Sequence, residues 1–294
     1  MDRILLVALL TAVIHLADTL FYAVRLSGVK TRRLATAFSL YQLVSLLAGV
    51  ANMIQAPLLS AVVEQGIHAS FSSYQAHLER LEGDIRLIIL AASGGTAGAA
   101  LLTPLTIFIF NRAIFLFERV GSLPLLLLSF LSPARIYRIL KETRRALASR
   151  RSFLASRRFF RKRGPLSGDS FPGHNFLPLW LFLIHILVIG IWTTGVLSAL
   201  YAGALLPSFR STASLLSGIV NGIAVVLAAF LIDPVTAVIT DQVLLGLREE
   251  REIIYLSFWL ILSRLLGTFL AQLLFLPAAH LVKFVALLLA GTGP

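Results

Sequence analysis

Residues Ile14 to Pro57 read IHLADTLFYAVRLSGVKTRRLATAFSLYQLVSLLAGVANMIQAP. Two apolar spans run through this stretch, joined by a short basic turn that holds Lys30, Arg32 and Arg33. About 20 apolar residues suffice to cross a bilayer as a helix, and both spans reach that length. Yet both carry groups that hydrocarbon penalises. His15, Asp18, Tyr22 and Arg25 lie in the first, Asn52 and Gln55 in the second. A charge at the bilayer centre costs on the order of 2.5–3.5 kcal/mol on insertion scales, so Asp18 requires compensation.

Composition extends this reading to the whole chain. Of 294 residues, 57% are hydrophobic and 14% charged, whereas soluble domains carry about 25% charge. The fold class is all-α, a polytopic membrane protein. Spanning helices are expected near 3–26, 34–63, 85–110, 176–200, 212–232 and 253–276. The first apolar run is too long for a cleavable signal. There is no cysteine, which excludes disulfides, thiolate metal sites and cysteine nucleophiles.

The net charge of +12 is concentrated. Residues 135–163 hold twelve Lys/Arg and one acid, Glu142; the rest of the chain holds fourteen basic and thirteen acidic residues. Ile136, Leu140, Leu147 and Leu154 interleave with these charges. That is the pattern of a helix lying on an anionic lipid surface rather than a nucleic-acid site. The positive-inside rule puts this loop and the Lys30–Arg33 turn in the cytoplasm. The 64–84 loop, with Glu64, Glu79, Glu82 and Asp84, and both termini are then outside. His68, His77 and His174 are expected in exposed loops. Two further apolar stretches, 113–132 and 278–291, are too broken or too short to span and are expected to be interfacial or re-entrant.

An internal repeat is present. Ser45-Leu46-Leu47-x-Gly49-x-x-Asn52 recurs as Ser214-Leu215-Leu216-x-Gly218-x-x-Asn221. Gly95-Thr96-x-x-Ala99-x-Leu101-Leu102 recurs as Gly267-Thr268-x-x-Ala271-x-Leu273-Leu274. Pro104 and Pro277 follow the second motif in each copy, and Ile14-His15 pairs with Ile184-His185. The division is a first three-helix half over 1–111, an amphipathic and basic segment over 112–175, and a second three-helix half over 176–294. An odd number of spans per half makes a 3+3 inverted repeat, a transporter architecture with its site between the halves near the midplane.

His15, Asp18, Tyr22 and Arg25 are spaced by three and four residues, so they share one helical face. Such a stripe either fixes helix packing or lines a cavity. Its continuation into Lys30, Arg32 and Arg33 suits a phosphate-bearing head group, because Arg binds phosphate bidentately and Lys adds charge. Arg264 lies mid-span in the sixth helix. Asp18 is the one acid deep in a span, so the two are expected to pair. Asn52, Gln55, Asn221 and Gln272 are isolated amides that can bond across helices. Asp233 and Asp241 follow the fifth span on the cytoplasmic side, and spacing leaves Asp233 open as a cap, a gate contact or a cation site. No nucleotide-binding glycine loop or HExxH motif appears, and the histidines show no metal-ligand spacing.

The run H-x-x-D-T-L-x-Y-x-x-R-L-x-G-V-K-T-x-R-L-A from His15 to Ala35 resembles the start of the Amj family. So do N-M-x-Q-A-P-L-L from Asn52, the D-P at Asp233, D-Q-V-L-x-G from Asp241, and S-R-x-L-G-T-x-x-A-Q from Ser263 to Gln272. The resemblance implies a bacterial lipid II flippase serving cell-wall synthesis, in the cell membrane, with no cofactor and no catalytic residues. It implies that Arg25, Lys30, Arg32 and Arg33 gather the lipid's diphosphate at the cytoplasmic mouth. His15, Asp18, Tyr22, Asn52, Gln55, Asn221, Arg264 and Gln272 would line the path. Asp18, His15, Asp233 and Asp241 would gate or couple it. Two other classes stay open: a membrane enzyme acting on a polyprenyl phosphate, and a non-enzymatic membrane scaffold.

Overall fold

The computed structural model describes residues 3–65, 71–122, 125, 141 and 179–291. These residues are helical, joined by short turns, with no strand among them. The helices are α1 (Arg3–Thr31), α2 (Leu34–Glu64), α3 (Phe71–Val120), α4 (Leu179–Leu205), α5 (Arg210–Leu215), α6 (Ser217–Leu227), α7 (Asp233–Leu244) and α8 (Glu250–Leu289). A π-helical turn, Ala228–Ile232, joins α6 to α7. Six helical stretches among the described residues are long and apolar enough to cross a membrane, with α5 to α7 forming one broken span.

Four expectations are corrected. Residues 113–120 are the last two turns of α3, not a separate interfacial helix; the end comes at Gly121, whose φ is +65°. Residues 278–289 continue α8 without a break. Pro277 is tolerated inside α8, as Pro often is in spanning helices, because neighbouring groups re-satisfy the freed backbone. Residues 71–84, expected as loop, open α3, and His77 is a half-buried residue of that helix. Residues 233–244, also expected as loop, form α7. Residues 71–84 and 233–244 continue a helix past the apolar window, where hydropathy cannot see it, and 113–120 and 278–289 are apolar turns carried on beyond a full span. At 50 residues, α3 rises roughly 75 Å, far beyond a hydrocarbon core of about 30 Å. The 135–163 segment, apart from Lys141, and residues 126–132 lie outside the described residues.

Helix directions follow from the contacts. Ser27 donates to the Ile107 carbonyl, and Gly95 packs on Ala12, so α1 and α3 run parallel. Ser198 donates to the Phe275 carbonyl, and Gly267 packs on Ile186 and Ile189, so α4 and α8 run parallel too. Asp18 meets Arg264, and Ser257 donates to the Tyr22 carbonyl, so α1 and α8 are antiparallel. The two halves therefore run in opposite senses. The Gly-Thr motif does the same work in each half. A Cβ on Gly95 would stand 2.1 Å from the Ala12 carbonyl oxygen, and one on Gly267 2.8 Å from that of Ile186. Only glycine permits these approaches.

The bundle has two ends, named here for the arginines of α1. Near Arg3, one apolar cluster joins both halves: Leu59, Leu81, Ile85, Ile88 and Ile89 pack with Leu197, Leu200 and Phe275. Near Arg25, a second cluster surrounds an open polar space.

Candidate functional site

Four spans enclose a cavity of about 270 Å³ at the seam between the halves. From α1 come Asp18, Tyr22 and Arg25, three of the four residues of the expected stripe, with Phe21 beside them. From α4 come His185, Val188, Ile189 and Trp192, and from α8 Leu260 and Arg264. The broken span supplies Ala224, Ala228, Ala229, Ile232, Asp233 and Thr236. Its break has a local cause. Pro234 has no N–H to give the preceding turn, and a π turn accommodates the missing bond. The small side chains of Ala228 and Ala229 leave room where that wide turn faces the space.

The polar groups are strongly interlocked. Arg264 Nη2 donates to Asp18 Oδ2 at 2.8 Å, the pairing expected from the sequence. The Arg264 side chain is 8% exposed and that of Asp18 28%. Tyr22 and His185 are joined at 3.0 Å, and His185 Nδ1 lies 2.5 Å from Ser263 Oγ. Ser263 donates to the Leu260 carbonyl at 3.1 Å. One tautomer satisfies every member: Tyr22 O–H donates to His185 Nε2, and His185 Nδ1–H donates to Ser263 Oγ. His185 is thus a neutral, fully bonded member of the wall.

The arginines are less content. Arg25 is buried, with its guanidinium carbon 5.0 Å over the Phe21 ring. Its Nη1 and the Nε of Arg264 are buried without a hydrogen-bond partner. An unsatisfied buried donor costs about 1–3 kcal/mol, more when charged. A cation–π contact returns roughly 0.5–2 kcal/mol. Both arginines line the cavity, and each keeps one donor buried without a partner.

The remaining expected site residues fall elsewhere. His15 is buried one turn along from Asp18, with an unpartnered Nδ1, and does not line the cavity. Lys30, Arg32 and Arg33 are exposed at the end of α1, and Arg33 is held by Glu118 of α3. Arg32 has φ 53°, which makes the tight turn into α2. Gln55 donates to Thr11 Oγ1 at 2.8 Å and ties α2 to α1. Gln272 donates to the Arg86 carbonyl at 2.8 Å and receives Arg86 Nη1 on its own carbonyl at 3.1 Å, tying α8 to α3. Asn221 sits over Gly195, where an added Cβ would come 1.9 Å from its Oδ1. Asn52 is exposed on the outer side of α2. Asp241 is exposed about two turns beyond Asp233 and does not line the cavity. Sequence reasoning missed His185, Phe21, Trp192 and Thr236. The one available signal was the paired Ile14-His15 and Ile184-His185 of the repeat.

The family model described as "Amj: Alternate to MurJ" matches residues 10–286. The chain is 30% identical over 284 residues to the lipid II flippase Amj of Bacillus subtilis (strain 168), covering 96% of each chain. No solved structure matches it.

Proposed function

The chain belongs to the Amj family, and from that premise we propose that it is a lipid II flippase, turning the undecaprenyl-diphosphate-linked precursor across the bacterial cell membrane for peptidoglycan synthesis. The observation that carries the reading is the pair of buried guanidinium groups with free donors on a cavity between inverted halves. An anion placed there would offset the buried charge of Arg25, which forms no ion pair among the described residues, beside an Arg264 already paired with Asp18. A diphosphate is such an anion, and it is the fixed charge of lipid II.

The assignment of residues sharpens accordingly. Arg25 and Arg264 would grip the diphosphate inside the cavity, with Tyr22, Asp18 and Trp192 around it. Lys30, Arg32 and Arg33 would act earlier, as a positive collar that draws the head group toward the mouth. The Arg25 end would be cytoplasmic, as the positive-inside rule asks of the Lys30–Arg33 turn and the basic 135–163 segment. That segment would rest on anionic lipids of the same leaflet.

The cavity's volume corresponds to roughly nine waters at about 30 Å³ each. That admits a diphosphate but not a disaccharide with its peptide. The halves must therefore part to pass the head group, while the polyprenyl tail stays in lipid. Alternating access between inverted repeats supplies this motion, with Asp18, Arg264 and Asp233 at the seam that opens. Any coupling would run through the Asp18–Arg264 pair, with His15 beside it.

The enzyme alternative needs converging carboxylates at one face, and Asp233 and Asp241 stand apart on α7. The scaffold alternative makes the polar stripe expendable. One experiment addresses all three readings. Purified protein is placed in vesicles with labelled lipid II, and head-group exposure to an added enzyme is followed. Faster exposure than in empty vesicles, lost in Arg25→Ala, is expected. Equal rates across membrane potentials and pH gradients would remove the proposal.

A further inference from the structure

A second cavity lies at the opposite end of α1. Its volume is about 300 Å³, and its polar lining is Arg3, Gln65, His77, Arg80 and Asp84. Three helices contribute: the start of α1, the last turn of α2 and the charged opening turns of α3. Ile4, Val62 and Leu81 form its apolar floor, which is the top of the cluster that joins the halves.

Its lining sets two arginines against one carboxylate. Arg3 and Arg80 form no ion pair among the described residues, although Asp84 shares the lining and has an interaction of its own. His77 adds an imidazole. Its ring stacks on Tyr74, with centroids 6.3 Å apart, which fixes the ring plane. Its Nε2 is buried and has no hydrogen-bond partner. Neighbouring ends are tied down: Tyr74 donates to the Ala204 carbonyl, and Glu64 pairs with Arg210 at 3.3 Å. The walls therefore come from three braced helices. Two guanidinium groups, an imidazole and the Gln65 amide on one small, braced hollow match the oxygens of a phosphate or diphosphate.

The spacing relates the two cavities. From Arg3 to Arg25, α1 rises roughly 33 Å at about 1.5 Å per residue, close to the 30 Å of a hydrocarbon core. One helix thus presents an arginine-lined hollow at each membrane face, with the apolar cluster between them.

We propose that the Arg3–His77–Arg80 hollow is a second anion site, which binds a phosphate-bearing group at the face opposite the main cavity. In the flippase reading, on which this use rests, it receives the diphosphate of lipid II as the head group leaves. The alternative source of the same chemistry is free phosphate or pyrophosphate.

The test uses the purified full-length protein. Inorganic pyrophosphate is titrated by calorimetry, and undecaprenyl diphosphate is titrated in lipid nanodiscs. Arg80→Gln and His77→Ala are expected to weaken binding of at least one probe about tenfold or more, while Arg80→Lys retains part of it. Arg119→Gln, an exposed charge that lines neither cavity, leaves binding unchanged. Binding of undecaprenyl diphosphate alone identifies a lipid-borne ligand, and binding of pyrophosphate alone a free one. Thermal unfolding without ligand checks that each variant is folded. Binding of both probes indifferent to Arg80 and His77 overturns the site. Lipid II exposure by the wild type alongside that result leaves the flippase reading standing. Arg80-dependent binding without lipid II exposure would do the reverse.

Discussion

At the Arg3 end, Leu59, Leu81, Ile85, Ile88, Ile89 and Phe275 are buried to 1% exposure or less. They come from α2, α3 and α8, so both halves meet there through a dry apolar contact. At the Arg25 end the same halves face each other across a cavity walled by charges, and two of its arginines keep unpaired donors. Apolar contact between the halves is cheap to make and cheap to separate in lipid, because hydrocarbon tails replace it. Buried guanidinium groups with an unsatisfied donor are neither. The sealed end reads as closure of a path and the polar end as the place where cargo is held. Under the proposed function, the apolar cluster would close the path between the main cavity and the Arg3 hollow.

Removing the seal has the largest expected effect. Phe275→Ala takes out a fully buried ring that also touches Tyr201 at 5.3 Å and Arg86 at 5.8 Å. A loss of about 3–5 kcal/mol is expected, read as a lowered thermal unfolding midpoint. An unchanged midpoint would mean that the halves are not held together there. Arg25→Ala comes next and strikes the other end. Its Nη1 has no partner, so folding changes little, while lipid II exposure falls roughly 10- to 100-fold, as for a charge-assisted bond of about 1.5–3 kcal/mol. Equal losses of stability and transport would count against the division into seal and grip.

The chain's lack of cysteine allows a direct reading of which end is open. With single cysteines, Ala228→Cys on the cavity wall should react roughly tenfold or more faster than Ala271→Cys in the seal, since thiol reactivity follows access. A membrane-impermeant reagent should achieve this from the Arg25 side only. Smaller still is the effect of Lys30→Gln. That side chain is exposed outside the cavity, so its removal should slow exposure less than threefold or so, and less at high salt. A collapse as deep as that of Arg25→Ala would move the grip outward to the collar.

The α1 stripe and its partner in α8 were legible from sequence because a spanning helix has fixed periodicity and Asp18 had one mid-span cation to meet. The repeat was legible because close helix approaches demand glycine at fixed places. Helix length was not, because hydropathy ends where charge begins, while the backbone ladder of α3 and α8 continues through Arg80 and Pro277. The isolated amides were equally opaque. Gln55 and Gln272 brace neighbouring helices, and Asn52 faces outward, yet all read alike as amides in apolar runs. His185 depended on Tyr22, 163 positions away in sequence, and no local pattern announces such a bond.

The wide turn at Ala228–Ile232 sets the phase of everything after it. A π turn carries one more residue than the α turn it replaces, and one residue is about 100° of rotation around a helix axis. Excising a single alanine from that turn would wind α7 around by about that angle. Asp233 and Thr236 would then swing off the cavity wall, with the connection to α8 turned along with them. The break thus works as a crank: which side chains of α7 face the cavity is decided by the count of residues upstream, not by their chemistry.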